Sequence, residues 1–237
     1  MCGRFGFISI KQSDGTDYWA NLWDEDGTTR KDKIIEEYFS ETRYDIRPTQ
    51  SVPVIVKKNS QISVSNMKWG VKPVWSKAPI INARSEKMLD SNFWHKAFNF
   101  RRCLVPASFF YEWQDVGAKK NIPWQIKMKN QNSFAFAGIF FDYDDRDSEF
   151  SILTETANAE MARIHNHGGN KHRQPVILKE TALKPWLDQT LLDDSAISLI
   201  QSYSEDEIDT VGLKEIGNDK TKQAPVPLGQ KADDALF

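Results

Sequence analysis

The stretch Arg102-Cys103-Leu104-Val105-Pro106-Ala107-Ser108-Phe109-Phe110-Tyr111-Glu112-Trp113-Gln114 decides the fold. It divides at Ser108 into two short runs, Arg102–Ala107 and Phe109–Gln114, dense in branched and aromatic side chains and without helical spacing, so both read as strands. Three more such runs follow, at Pro123–Met128, Phe134–Phe141 and Phe150–Thr154. Two precede it, Val52–Lys57 and Ile62–Trp69, at hairpin spacing across Lys58-Asn59-Ser60-Gln61. Short connections between successive strands favour antiparallel neighbours. The expected centre is an antiparallel sheet or open barrel.

Further outward, residues 1–8, Gln174–Leu178 and Thr210–Ile216 read as additional strands. Trp19, Leu22 and Trp23 have the spacing of a short amphipathic helix, and Lys31–Phe39 that of a second one burying Ile34, Ile35, Tyr38 and Phe39. A helical stretch is expected to follow Ile80-Ile81-Asn82-Ala83-Arg84-Ser85-Glu86, with Phe93, Trp94, Ala97 and Phe98 on one side. Ala157–Ile164 reads as a helix, and Glu180–Leu187 and Ala196–Tyr203 as surface helices. Pro48 biases Arg47 towards an extended backbone, so Tyr44–Thr49 is a loop. The prediction is an α+β fold, one compact domain over residues 1–216, mostly antiparallel sheet or open barrel with flanking helices. The polar segment 217–237, with Pro225 and Pro227, reads as an extended or partly disordered tail.

The 237 residues are 40% hydrophobic and 12% aromatic, with no Gly/Ser-rich or Pro-rich linker and no internal repeat, which suits a single large domain. A net charge of -2 argues against coating nucleic acid by bulk electrostatics but allows a local basic groove. Cys2 and Cys103 do not make a disulfide framework, and the four histidines show no zinc spacing. Neither a signal-peptide core nor an apolar run of about 18 residues is present. The sequence therefore reads as a cytoplasmic, reduced protein that takes no metal or cofactor, crosses no membrane and works as a monomer.

Several residues could carry chemistry. If Met1 is removed, Cys2 bears an α-amine and a thiol on neighbouring carbons, a pair that condenses with an aldehyde through an imine and closes a thiazolidine. Its thiolate could instead attack an amide. With ordinary pKa values of about 8 and about 8.5, both groups respond to modest tuning. Glu112 sits in the aromatic run Phe109–Trp113, where it either faces solvent or enters an apolar pocket and becomes a general acid or base. His165 ends a helix, either as a cap favoured by the helix dipole or as a proton donor, and His167 and His172 share its loop. Asn82 either caps a helix or orients a reactive group. The tryptophans of Trp69-Gly70-Val71-Lys72-Pro73-Val74-Trp75 are hydrophobic plugs or platforms for unpaired bases.

Taken in order, Cys2-Gly3-Arg4-Phe5, Trp69–Trp75, Asn82-Ala83-Arg84-Ser85-Glu86, Arg102–Pro106, Phe110-Tyr111-Glu112-Trp113 and Ile164-His165-Asn166 resemble the SRAP family, the SOS response associated peptidases that sense abasic sites. The resemblance covers roughly residues 1–180. It implies a mostly β domain that binds single-stranded DNA and crosslinks itself to the aldehyde of an abasic site. Carried over residue by residue, Cys2 would supply amine and sulfur, Asn82 would hold the terminus, Glu112 would shuttle protons and His165 would assist opening of the sugar. Arg4, Arg84, Thr154 and Arg173 would contact the DNA backbone, while Pro48 and Trp75 would wedge or stack. The peptidase label would cover removal of Met1. Asp45, Val74, Gln174 and the long loop after His165 depart from the usual pattern, which implies weaker DNA contact. An N-terminal-nucleophile amidohydrolase of the glutamine amidotransferase type, and a DNA-binding module without chemistry, are the competing readings.

Overall fold

The computed structural model describes residues 2–9, 19, 22, 34, 36–58, 61–117 and 119–229. Its strands are β1 (Arg4–Phe7), β2 (Arg43–Ile46), β3 (Ser51–Lys58), β4 (Gln61–Trp69), β5 (Asn82–Arg84), β6 (Arg102–Ala107), β7 (Phe109–Gln114), β8 (Ile122–Met128), β9 (Phe134–Phe141), β10 (Glu149–Thr156), β11 (Arg173–Pro175), β12 (Ile208–Glu215) and β13 (Val226–Pro227). Ser108 is where the chain changes sheets. One sheet has the order β13-β12-β8-β7-β1-β2, the other β11-β10-β4-β3-β6-β9. Because β10 pairs with both β4 and β9, the second sheet curls back on itself, and β5 adds to β10.

The antiparallel reading holds for most pairs, including the β3–β4 hairpin in register from Ser51↔Lys68 to Lys58↔Gln61. The β10–β4 and β10–β5 pairs are parallel instead. Their partners are distant in sequence, so the short-connection argument does not reach them.

Alternation explains β7. Phe110 belongs to the main core, while Phe109 and Tyr111 join Leu213 in a smaller cluster on the opposite face. Glu112 therefore shares the face of Phe110. Strand β1 lies inside its sheet, between β7 and β2, with Phe5 edge-on to Trp69 at 5.1 Å and to Phe136 at 5.7 Å. A side chain at Gly6 would come within 2.2 Å of Phe109, so glycine is what lets β1 lie this close.

The helices are short: α1 (His95–Phe100), α2 (Ala159–Ile164), α3 (Leu183–Leu187) and α4 (Asp193–Ile197). Asn82–Arg84 forms strand β5 and Ser85–Lys87 one 3-10 turn, because the edge of β10 offers a hydrogen-bonding partner, and the helix expected after Glu86 is α1, with Ala97 and Phe98 buried. Leu183–Leu187 is not a surface helix. Trp186 is fully buried, and its carbonyl joins those of Phe98, Asn99, Asp188 and Leu191 in accepting hydrogen bonds from the buried Arg102 guanidinium. The predicted helix Ala196–Tyr203 stops at Ile197, and Tyr203 turns into the core. Trp19 and Leu22 are buried, and residues 36–38 are helical. Trp23, Ile35, Met1 and residues 230–237 lie outside the described residues. From Gly217 the chain runs back over the first sheet, through the Asn218↔Gln223 bridge and into β13. Among the described residues no helix is long and apolar enough to cross a membrane.

Candidate active site

A reactive terminus needs a fixed backbone, since chain ends ordinarily fray. Here β1 is an interior strand with Phe5 anchored in the core, and Cys2, two residues before the strand begins, is 1% exposed. Its carbonyl accepts a hydrogen bond from Asn82 Nδ2 at 2.9 Å, and its Sγ donates weakly to the Arg4 carbonyl at 3.8 Å. Asn82 is placed by β5, whose register sets it opposite Ile152 of β10. It caps no helix and holds the backbone of Cys2.

Glu112 is buried, so it does not face solvent. Burial pushes its carboxyl up to about 7, poised to gain or lose a proton near neutrality. Burial also pushes the Cys2 thiol well above its ordinary value, and the negative charge of Glu112 adds to the effect. Ionising both at once is disfavoured, so the proton of one is tied to the other. His165 occupies the C-cap of α2, and its Nδ1 lies 3.2 Å from the Arg173 carbonyl. Burial pulls it down to about 4, so the imidazole is neutral at physiological pH. His172 donates its backbone N–H to the carbonyl of His165, and the His165 and His167 rings meet edge to face at 6.4 Å.

Nothing in the sequence pattern singled out Tyr203. Its buried hydroxyl has no hydrogen-bond partner among the described residues, and burial followed by the charges of Glu155, Cys2 and Glu112 raises its pKa strongly. Its carbonyl accepts from Asn158 Nδ2, while Asn158 Oδ1 caps α2 by accepting from Met161 N at 2.8 Å. Gln174 accepts from Asn158 N and donates to buried Glu155. This network fixes the start of the helix that ends at His165.

The family model for SOS response associated peptidase (SRAP) matches residues 1–217. The chain belongs to this family. It is 29% identical over 235 residues to the abasic site processing protein YoqW of Bacillus subtilis, covering 95% of this chain and 97% of that protein. It is 26% identical over 205 residues to the abasic site processing protein YedK of Escherichia coli, covering 85% and 86%. A crystal structure of a protein from Bacteroides thetaiotaomicron superimposes with a TM-score of 0.66 at 24% identity, covering 94% of this chain and 95% of that one.

Around this SRAP site the polar candidates fall into different environments. Trp75 is 65% exposed and rests edge-on against Phe93, whereas Trp69 is buried and donates from Nε1 to the Ile81 carbonyl, so Trp69 is a plug and Trp75 lies on the surface. Arg84 is exposed and donates to Asn170 Oδ1 at 3.0 Å. Pro48 is half-buried in a turn closed by Gln50 N on the Arg47 carbonyl. Arg4 stacks over Trp113 at 5.7 Å and makes a bidentate pair with Asp45. Arg173 and Thr154 are buried and bonded to each other, with Arg173 also paired to Glu86.

Proposed function

We propose that this SRAP protein binds single-stranded DNA at an abasic site and joins itself to the lesion through Cys2 once Met1 has been hydrolysed away. The observation that carries the reading is the hydrogen bond from Asn82 to the Cys2 carbonyl, which holds the terminal residue in a buried site with Glu112. The names of the relatives supply the substrate. An amidohydrolase role is not favoured, since the matching family is that of abasic site processing proteins.

In the proposed reaction the freed amine attacks C1′ of the ring-opened deoxyribose, and the carbinolamine loses water to leave an imine. The thiol then adds across the C=N bond: sulfur bonds to carbon, the thiol proton ends on nitrogen, and one water is the net product. Since burial keeps the thiol protonated, a base must take that proton during ring closure, and Glu112 near pKa 7 can do so. Neutral His165 assists ring opening by proton transfer at the sugar oxygen. Trp75 and Pro48 support the displaced bases, and Arg4 and Arg84 the backbone.

Mixing Met1-processed protein with a single-stranded oligonucleotide carrying one abasic site should give a denaturant-resistant adduct. Cys2→Ala should give none, and an equal yield from it would sink the reading. The rate should rise with pH through about 7, as Glu112 becomes a base, and this inflection should vanish in Glu112→Gln, whose rate should fall by roughly a hundredfold or more.

A further inference from the structure

Strand β2 and the turn after it place two guanidinium groups on one carboxylate. Asp45 Oδ1 accepts from Arg4 Nε at 2.8 Å, and Oδ2 accepts from Arg4 Nη2 at 2.9 Å and Arg47 Nε at 2.7 Å. The carboxylate is 6% exposed and cannot drift. The backbone N–H groups of Tyr44 and Asp45 both donate to Asp219 Oδ1, and Arg43 Nε donates to the other oxygen of Asp219 at 2.8 Å.

The turn carrying Arg47 is fixed as well. Arg47 N donates to Gln50 Oε1 at 3.0 Å, and Thr49, at φ 70, donates its N–H to the Trp69 carbonyl at 2.8 Å. A β-branched residue is held in the left-handed region here by its surroundings, an outlier of the kind that collects at binding sites. Arg47, 57% exposed, is thus kept beside Arg4, 22% exposed. Two cations against one carboxylate leave a net positive site two residues from Cys2.

We infer that Arg47 is a second phosphate-binding residue, held against Arg4 by Asp45, and that the pair grips a phosphodiester of the single strand beside the lesion. This rests on the DNA-binding reading above. An arginine fork offers five N–H donors, and Asp45 engages only part of each fork, so donors remain for phosphate oxygens. Asp45 is a positioning residue: it makes two mutually repelling cations converge and removes one unit of positive charge from the site.

Binding of an undamaged, fluorescein-labelled single-stranded oligonucleotide, which has no aldehyde and reports non-covalent contact only, tests this by anisotropy across a salt series. Arg47→Gln, at an exposed position where folding is not at stake, is expected to bind about fivefold more weakly near 0.1 M salt and to flatten the slope of log K against log salt by about 0.7. Asp45→Asn should bind more tightly, with a slope steeper by about the same amount. Wild-type affinity and slope in Arg47→Gln would overturn the inference, as would an unchanged slope in Asp45→Asn. If the wild-type protein neither binds this oligonucleotide nor crosslinks to its abasic counterpart, the DNA-binding reading itself has failed.

Discussion

Arg4 and Arg173 each meet a carboxylate through two hydrogen bonds, at 2.8 and 2.9 Å with Asp45 and at 2.5 and 2.8 Å with Glu86. Burial is reversed between the two pairs. Asp45 is 6% exposed under a more open Arg4, whereas Arg173 is 9% exposed under a Glu86 that is 46% exposed. An approaching phosphate meets a cation at the first and a carboxylate at the second. Arg173 is moreover tied to the Thr154 carbonyl and Oγ1, and its backbone lies against His165, so it ties β10 and β11 to the His165 side of the site. Identical pairing chemistry thus yields a solvent-facing cation in one place and a framework group in the other. For Arg173 to reach DNA, as the family resemblance implies, Glu86 has to swing aside.

The largest expected effect separates the two arginines. Arg173→Ala removes a buried cation together with its bonds to Thr154 and should cost about 3 kcal/mol, lowering Tm by roughly 6–12 °C. Arg4→Ala should cost only about 1 kcal/mol, because Arg47 still covers Asp45. Calorimetry showing equal losses would break the comparison. A middle-sized effect concerns the support of Asp45. Asp219→Ala strips the acceptor from two backbone N–H groups and should cost about 2 kcal/mol in urea unfolding. A chain ending at Ile216 should lose at least as much, and full stability in that truncation would remove Asp219 from the argument.

Smallest is the exposed partner. Glu86→Gln should stay within about 1 kcal/mol of wild type, as exposed ion pairs do, while tightening oligonucleotide binding. Partial burial is the largest single influence and pushes the Glu86 carboxyl upward, but the Arg173 hydrogen bond, a backbone hydrogen bond and the charges of Arg173 and Arg84 together hold it below the usual carboxylate range. A lowered folded-state value means that the stabilisation is present above the ordinary Glu pKa of about 4.3 and fades as pH falls through the folded value. The acid limb of the stability profile should therefore flatten slightly in Glu86→Gln, and an unchanged limb would show the pair to be energetically silent.

Much of the sheet was legible because strand patterns are local: Phe109–Gln114 announces itself by residue type, and the β3–β4 hairpin by its spacing. The helices were less so. Leu183–Leu187 looked like a surface segment because nothing local records that Arg102, far back in the chain, collects carbonyls from Trp186, Asp188 and Leu191. Within the site, Cys2, Asn82, Glu112 and His165 could be nominated from residue type and motif order, but Tyr203 and Arg47 could not. Tyr203 matters through its burial, and Arg47 through a carboxylate that Arg4, on the neighbouring strand β1 but far earlier in the chain, also uses.

By itself, the sequence determined most of the strands, though not β2, which it read as a loop, nor β5 or β13, together with the family and the one residue that would offer an amine beside a thiol once Met1 is gone, because these depend on side-chain identity and short-range pattern. Only the tertiary structure decided that the terminal segment is rigid, that Asn82 grips Cys2 instead of capping a helix, and that Glu112 faces the core and titrates near neutrality. It alone decided, too, which arginine is open to solvent and which is buried. Orientation, burial and charge balance arise from segments far apart in the chain, and desolvation acts on a group only once those segments have closed around it.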